Sequence, residues 1–249
     1  MNLSINLNKI SLLRNSRGGD FPSITEFGQQ LLDLGIDGLT LHPRPDLRHA
    51  TPKDCEILQK LCHEKHKELN LEGNPASKSS IIYPGFLNLV RSVKPTQVTL
   101  VPDDENQITS DHGYTKHEIT ESFIDLISNL SKLAKRISIF VDAGFIDLNH
   151  IKLSGIDCIE IYTGPFAAAC NLGNSAMIDK QLALIEVTFQ AAKELGIRVH
   201  IGHDLNLENL TYIQQIGKFD EASIGHAFIV DCIRHGIVRA TELYLKQVK

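Results

Sequence analysis

Two histidines and two arginines crowd eight residues of this chain, His42-Pro43-Arg44-Pro45-Asp46-Leu47-Arg48-His49. Arginine presents a planar fork of donors that matches phosphate oxygens, and histidine changes charge near neutral pH. The run suits a phosphate held beside a proton carrier; a solvated basic loop is the alternative. Glu72, in Asn70-Leu71-Glu72-Gly73-Asn74, shares its strand parity with Asn70. Burial there would raise its pKa and make it a usable acid or base; a structural glutamate paired to an arginine is the plainer reading. Two Gly-His pairs, Gly202-His203-Asp204 and Gly225-His226, would let a phosphate approach backbone N–H groups closely. Tight turns with packed histidines are the alternative there. Near the N-terminus, Asn6 and Asn8 lead into Lys9, Arg14 and Arg17. These cations would clamp phosphates, or Lys9 would form an imine if a dry or cationic site lowered its pKa. Each is otherwise an ordinary surface cation.

The elements that must position these groups repeat in a simple rhythm. Short β-rich runs occur at Leu3–Asn8, Gly38–His42, Leu69–Glu72, Gln97–Val101, Arg136–Asp142, Cys158–Thr163, Arg198–His203 and Ala222–His226. Helical periodicity lies between them, at Ile24–Leu34, Lys53–Glu68, His117–Ala134, Lys180–Leu195 and Ile229–Val248. Alternating strands and helices imply a parallel sheet, and eight units imply a closed (β/α)8 TIM barrel in one domain, 1–249. An open doubly wound sheet would need a Gly-rich loop after the first strand, which is missing. Within the strands one parity is apolar, as in Ile5, Leu7, Leu39, Leu41, Ile159 and Ile161. The other parity is polar, as in Asn6, Asn8, Thr40, His42, Asn70, Glu72, Ser138, Asp142, Glu160 and Tyr162. Opposite parities face opposite sides of a sheet, so the polar set is expected in the lumen. Long segments at Pro102–Tyr114 and Gly164–Met177 are candidate binding loops, the first of them the candidate lid.

Composition narrows the function. A formal net charge of −5 argues against a nucleic-acid surface while leaving room for a local anion site. The five cysteines form no C-x-x-C pair, which argues against a disulfide framework or structural zinc and suits a reducing compartment. Eleven histidines suggest a metal, yet no two histidines and an acid occur at a motif spacing. No metal is expected. The first residues lack the basic and apolar regions of a signal peptide, and no run reaches the roughly 20 apolar residues of a membrane helix. A cytoplasmic protein without membrane or nucleic-acid partners is expected.

The runs Leu13-Arg14-Asn15-Ser16-Arg17-Gly18, Leu41 to His49, Asn70-Leu71-Glu72, Leu100-Val101-Pro102, Phe140-Val141-Asp142, Glu160-Ile161-Tyr162-Thr163-Gly164, Gly202-His203 and Ile224-Gly225-His226-Ala227 together resemble the pyridoxine 5′-phosphate synthase family. The resemblance spans about residues 3–245. It implies a barrel with added helices, assembled as a homo-octamer of paired subunits. It also implies condensation of 3-amino-2-oxopropyl phosphate with 1-deoxy-D-xylulose 5-phosphate in vitamin B6 biosynthesis, with no cofactor. By the same resemblance His42, Glu72 and His203 are the acid–base residues. Asn6, Arg17, Asp204, Gly225 and His226 would hold the amino-ketone phosphate; Asn8, Lys9, Arg44, His49 and Thr109 would hold the deoxyxylulose phosphate. Four positions depart from the common pattern. Asn8-Lys9 stands where many members have Asp-His, Asp204 where many have Gly, and Tyr162 where His is frequent. If position 204 acts through its N–H, a side chain is tolerated; if Asp204 points at the phosphate, affinity falls. Two other functions fit the same residues: a Schiff-base aldolase acting through Lys9, and a non-catalytic sugar-phosphate-binding barrel.

Overall fold

The structure is a computed structural model that describes residues 1–104 and 107–249. Eight parallel strands close into a barrel in chain order: β1 (Asn2–Asn6), β2 (Gly38–Leu41), β3 (Glu68–Gly73), β4 (Gln97–Leu100), β5 (Arg136–Asp142), β6 (Cys158–Tyr162), β7 (Arg198–Gly202) and β8 (Glu221–Ile224). Helices α1 (Asn8–Asn15) and α2 (Ile24–Asp33) follow β1, α3 (Pro52–Glu64) follows β2, and α4 (Phe86–Val93) follows β3. Next come α5 (Glu121–Leu130) and α6 (Asn149–Leu153), then α7 (Gly164–Asn171) with α8 (Ser175–Glu194), and α9 (Leu210–Ile213). The last strand feeds α10 (His226–His235) and α11 (Ile237–Val248). This is the expected (β/α)8 barrel with extra helices. Among the described residues no helix is long and apolar enough to cross a membrane.

Register explains why the barrel closes. Ile5 pairs with Leu39 and Leu39 with Leu69; Leu71, Val98 and Ile137 continue the row. Ile139 pairs with Ile159, Ile161 with Ile201, and Ile224 with Ile5. These side chains are almost fully buried, each contributing roughly 1.5–3 kcal/mol. The opposite parity fills the lumen with polar groups, as expected, several of them hydrogen-bonded to one another. Ser4 and Thr40 share a hydrogen bond at 2.7 Å, and the Thr99 hydroxyl donates to Asn70 at 3.0 Å. Arg136 pairs with Glu68 and donates from Nε to Gln97 at 2.9 Å.

Local chemistry moves several boundaries. The first strand stops at Asn6, because the Asn6 side chain accepts from the Asn8 N–H at 2.9 Å and the chain turns directly into α1. Gly236, at φ 80°, divides the expected 229–248 helix in two. The 117–134 pattern shortens to α5, which Thr120 caps. The Gly164–Met177 segment is not a loop: Pro165 opens α7 in its first turn and Asn174 caps α8. Asp142 stands exposed at the rim rather than inside the lumen, where it accepts from the Gly113 N–H at 2.9 Å. A Cβ on Gly113 would lie 2.4 Å from the Val141 backbone, so only glycine lets this segment lie on β5.

Candidate active site

The C-terminal mouth of the barrel holds a cavity of about 300 Å³, at the small end of ligand pockets. Asn6, Asn8, Lys9, His42, Arg44, His49, Glu72, Thr109, His203, Asp204, Gly225 and His226 all line it. Glu72 points up from β3. The Asn6 amide donates to its Oε2 at 3.3 Å, and the Asn8 side chain accepts from the His42 N–H at 2.9 Å. His42 Nδ1 then stands 3.8 Å from Glu72 Oε2. Burial, then the charges of Glu160 and Asp103, push the Glu72 pKa well above the carboxylate range. Burial, then Arg44, His49 and His203, drive His42 well below the usual imidazole value. Burial thus favours the neutral form of each group over an ion pair.

Basic side chains, Lys9, Arg44 and His49, stand around them. Arg44 is buried; its Nη2 holds Asp103 at 2.6 Å and its Nη1 donates to the Gln107 carbonyl at 3.2 Å. His49 is held neutral, its pKa lowered to about 4 by burial and then by Arg44 and Lys9. The N-termini of α1 and α10 both open on the cavity, through Asn8 and Lys9 and through Gly225 and His226. Free N–H groups and the helix dipole make such ends anion sites.

The opposite wall rests on unusual backbone. His203 and Asp204 adopt φ 89° and φ 56°, a region non-glycine residues enter at a cost of about 1–3 kcal/mol. Buried Thr163 secures the turn, donating to the Gly202 and His203 carbonyls at 2.7 and 2.6 Å, and Asn209 donates to the Asp204 carbonyl at 3.0 Å. Aspartate is among the residues that tolerate this conformation best, so it can stand where glycine is common. Its carboxylate lies 3.5 Å from His203 Nδ1, and that contact holds the Asp204 pKa down. The other imidazole nitrogen, Nε2, meets the Thr109 hydroxyl at 3.1 Å. Tyr162 packs edge-on against the ring, with centroids 5.2 Å apart.

Three cations singled out from the sequence stand elsewhere. Arg17 is exposed, beyond the end of α1, and does not line the cavity. Arg14 is committed to Asp54, with both contacts at 2.7 Å. Arg48 pairs with Asp46 at 3.0 Å and braces the Gln107 and Ile108 carbonyls. Sequence reasoning missed Asp103, Ser110 and Glu160 as site residues. Glu160 carried the signal in its lumen parity. It rises into the pocket beneath Gly202, where a Cβ would come within 1.9 Å of its Oε1. Burial and then Glu221 raise its pKa to about 8.

A closed parallel barrel with titratable groups facing one another at its C-terminal mouth is the layout of a (β/α)8-barrel enzyme. The family model described as pyridoxal phosphate biosynthesis protein PdxJ matches residues 3–249, and the chain belongs to that family of vitamin B6 biosynthesis enzymes. A pyridoxine 5′-phosphate synthase from Xanthomonas axonopodis is 41% identical over 98% of this chain and 94% of its own. Another, from Xylella fastidiosa, is 38% identical over 98% and 93%. Among solved structures, thiamine phosphate pyrophosphorylase from Pyrococcus furiosus shares the fold, with a TM-score of 0.62 at 13% identity over 99% of this chain and 95% of its own.

Proposed function

We propose that the chain condenses 3-amino-2-oxopropyl phosphate with 1-deoxy-D-xylulose 5-phosphate to pyridoxine 5′-phosphate, releasing phosphate and water, without a cofactor. The observation that carries this reading is the buried Glu72–His42 contact at 3.8 Å, whose burial favours the neutral form of each group, set between two helix N-termini. Neutral His42 takes a proton from the substrate ammonium, freeing the amine to attack the ketone. Glu72 enters as an acid and donates to the hydroxyl that leaves as water, giving the imine. As a carboxylate it then removes the proton from the adjacent carbon, whose electron pair expels the next hydroxyl as water; the resulting ketone loses a further proton, phosphate leaves from the terminal carbon, and water adds there in its place, generating the enolate. Internal carbon–carbon closure follows, with His203 donating to the carbonyl oxygen on the far wall. Glu160, protonated near neutral pH, adds a hydrogen-bond donor from the floor. Fixing both phosphates removes much of the entropic cost of bringing two reactants together.

The amino-ketone phosphate is assigned to Asn6, Asp204, Gly225 and His226, and the deoxyxylulose phosphate to Asn8, Lys9, Arg44, His49 and Thr109. Arg17 is exposed outside its own subunit's pocket, so we assign it to the pocket of a paired subunit within an octamer. Five free cysteines suit the cytoplasm. Phosphorus NMR of both substrates with the purified chain should show one inorganic phosphate released per product. Two intact esters after binding would sink the assignment.

A further inference from the structure

A second cavity, of about 690 Å³, opens at the N-terminal mouth of the barrel, at the end of the lumen opposite the chemistry described above. His200 and Glu221, Cα partners on β7 and β8, reach it from the lumen. Arg136, Lys193, Arg198 and Lys218 supply its cations, and Glu68 and Asp220 its other acids. Arg136 is committed to Glu68, and Lys193 to Asp220 at 2.8 Å. Arg198 and Lys218 are exposed, and among the described residues neither side chain has a hydrogen bond or ion pair. Glu221 is only 5% exposed, yet its carboxyl group has no hydrogen bond among the described residues. The nearest basic atom is His200 Nδ1 at 3.9 Å, and burial holds that imidazole neutral, near a pKa of about 3.

This carboxyl has no donor among the described residues and faces an open cavity whose rim carries two uncommitted cations. We propose that this cavity is a second binding site, for a small phosphorylated amine, with the ammonium group on Glu221 and the phosphate at Arg198 and Lys218. The amino-ketone phosphate of the reaction falls in this class, but the site stands independently of that reading. Proton linkage accompanies binding. Burial, then Glu68, raises the Glu221 pKa to about 7, with Asp37 adding to the rise and Arg136 and Arg198 opposing it. Glu160 in the lumen and Asp220, Lys193, Lys218 and His200 around the cavity complete the charged surroundings. An ammonium group beside Glu221 favours the carboxylate, so binding at neutral pH expels a proton.

The probe is 2-aminoethyl phosphate, titrated calorimetrically into the full chain at pH 7 in two buffers of different ionisation enthalpy. The expected result is saturable binding with fractional proton release. Glu221→Gln should abolish the release and weaken binding by about tenfold or more, the loss of one charged contact. Arg198→Ala, at an exposed position outside the upper pocket, should weaken binding similarly and guards against a folding defect in the first variant. Inorganic phosphate alone should bind more weakly and without sensitivity to Glu221→Gln. No binding at millimolar probe, unchanged affinity in both variants, or equal affinity for inorganic phosphate would each overturn the proposal.

Discussion

Arg44 Nη2 and Asp103 Oδ2 lie 2.6 Å apart, both side chains buried, and so join the end of β2 to the segment that follows β4. The same Asp103 oxygen accepts from Ser110 at 2.8 Å, and the Asp103 carbonyl accepts from Asn74 at 2.7 Å. Removing one partner of a buried pair leaves an uncompensated charge. Asp103→Ala should therefore destabilise the fold by roughly 3 kcal/mol, read from chemical denaturation. Because a phosphate can replace the lost anion beside Arg44, 1-deoxy-D-xylulose 5-phosphate should stabilise the variant more than it stabilises the parent. Equal stabilisation of the two would remove Arg44 from the phosphate site.

Glu72→Gln keeps the shape and the Asn6 contact while removing the exchangeable proton. The variant should lose about 10²–10⁴ in kcat, the range of general acid–base catalysis. Binding of each phosphate ester should stay within a few-fold of the parent. Turnover near the parental rate would refute the proton-carrying role.

The buried lumen acids set a pH dependence. Glu160 and Glu221 keep their protons to about pH 8 and about pH 7 in the folded chain, whereas an unfolded glutamate loses its proton near pH 4.3. Between those values the folded state binds more protons, so stability falls as pH rises. The two contributions are fully present below about pH 4 and lost as pH climbs through about 7 and about 8. Below about pH 6.5 the buried neutral His42, His49 and His200 pull the other way, so denaturation midpoints should decline from about pH 6.5 to about pH 8.5, and Glu221→Gln should flatten the lower part of that decline. A parental midpoint that rises across the window would contradict the assignment.

Arg17 gives a test by mixing. If it serves a neighbouring pocket, Arg17→Ala and Glu72→Gln subunits unfolded and refolded together should regain activity that neither has alone, because some pockets then receive both intact residues. Refolded mixtures with no activity above the separate variants would contradict a role for Arg17 in the neighbouring pocket.

Lys9 separates the condensation from the aldolase alternative. Borohydride added with the sugar phosphate should leave the peptide containing Lys9 at its native mass. A reduced adduct there would favour Schiff-base chemistry.

Much of this was legible in the sequence, because two periodicities carried it. Strand parity placed Asn70, Glu72 and Glu160 inside the barrel, and glycine-rich strand ends marked the phosphate-ready turns at Gly202 and Gly225. What escaped depends on contacts between distant segments. Asp103 looks like one acid in a polar run, and only the fold brings it to Arg44. Arg14 and Arg17 look alike in the chain, yet Asp54 takes the first while the second stays exposed. Simple alternation set His203 on the face opposite His200. The φ of 89° at His203, just past the end of β7, carries its side chain to the pocket mouth.

The central claim is tested most directly by mass spectrometry of the purified chain incubated with 3-amino-2-oxopropyl phosphate and 1-deoxy-D-xylulose 5-phosphate, with no metal added. Pyridoxine 5′-phosphate should form, with Asn8, Lys9 and Asp204 all compatible with turnover. A folded chain that binds the sugar phosphate and forms no such product would contradict it.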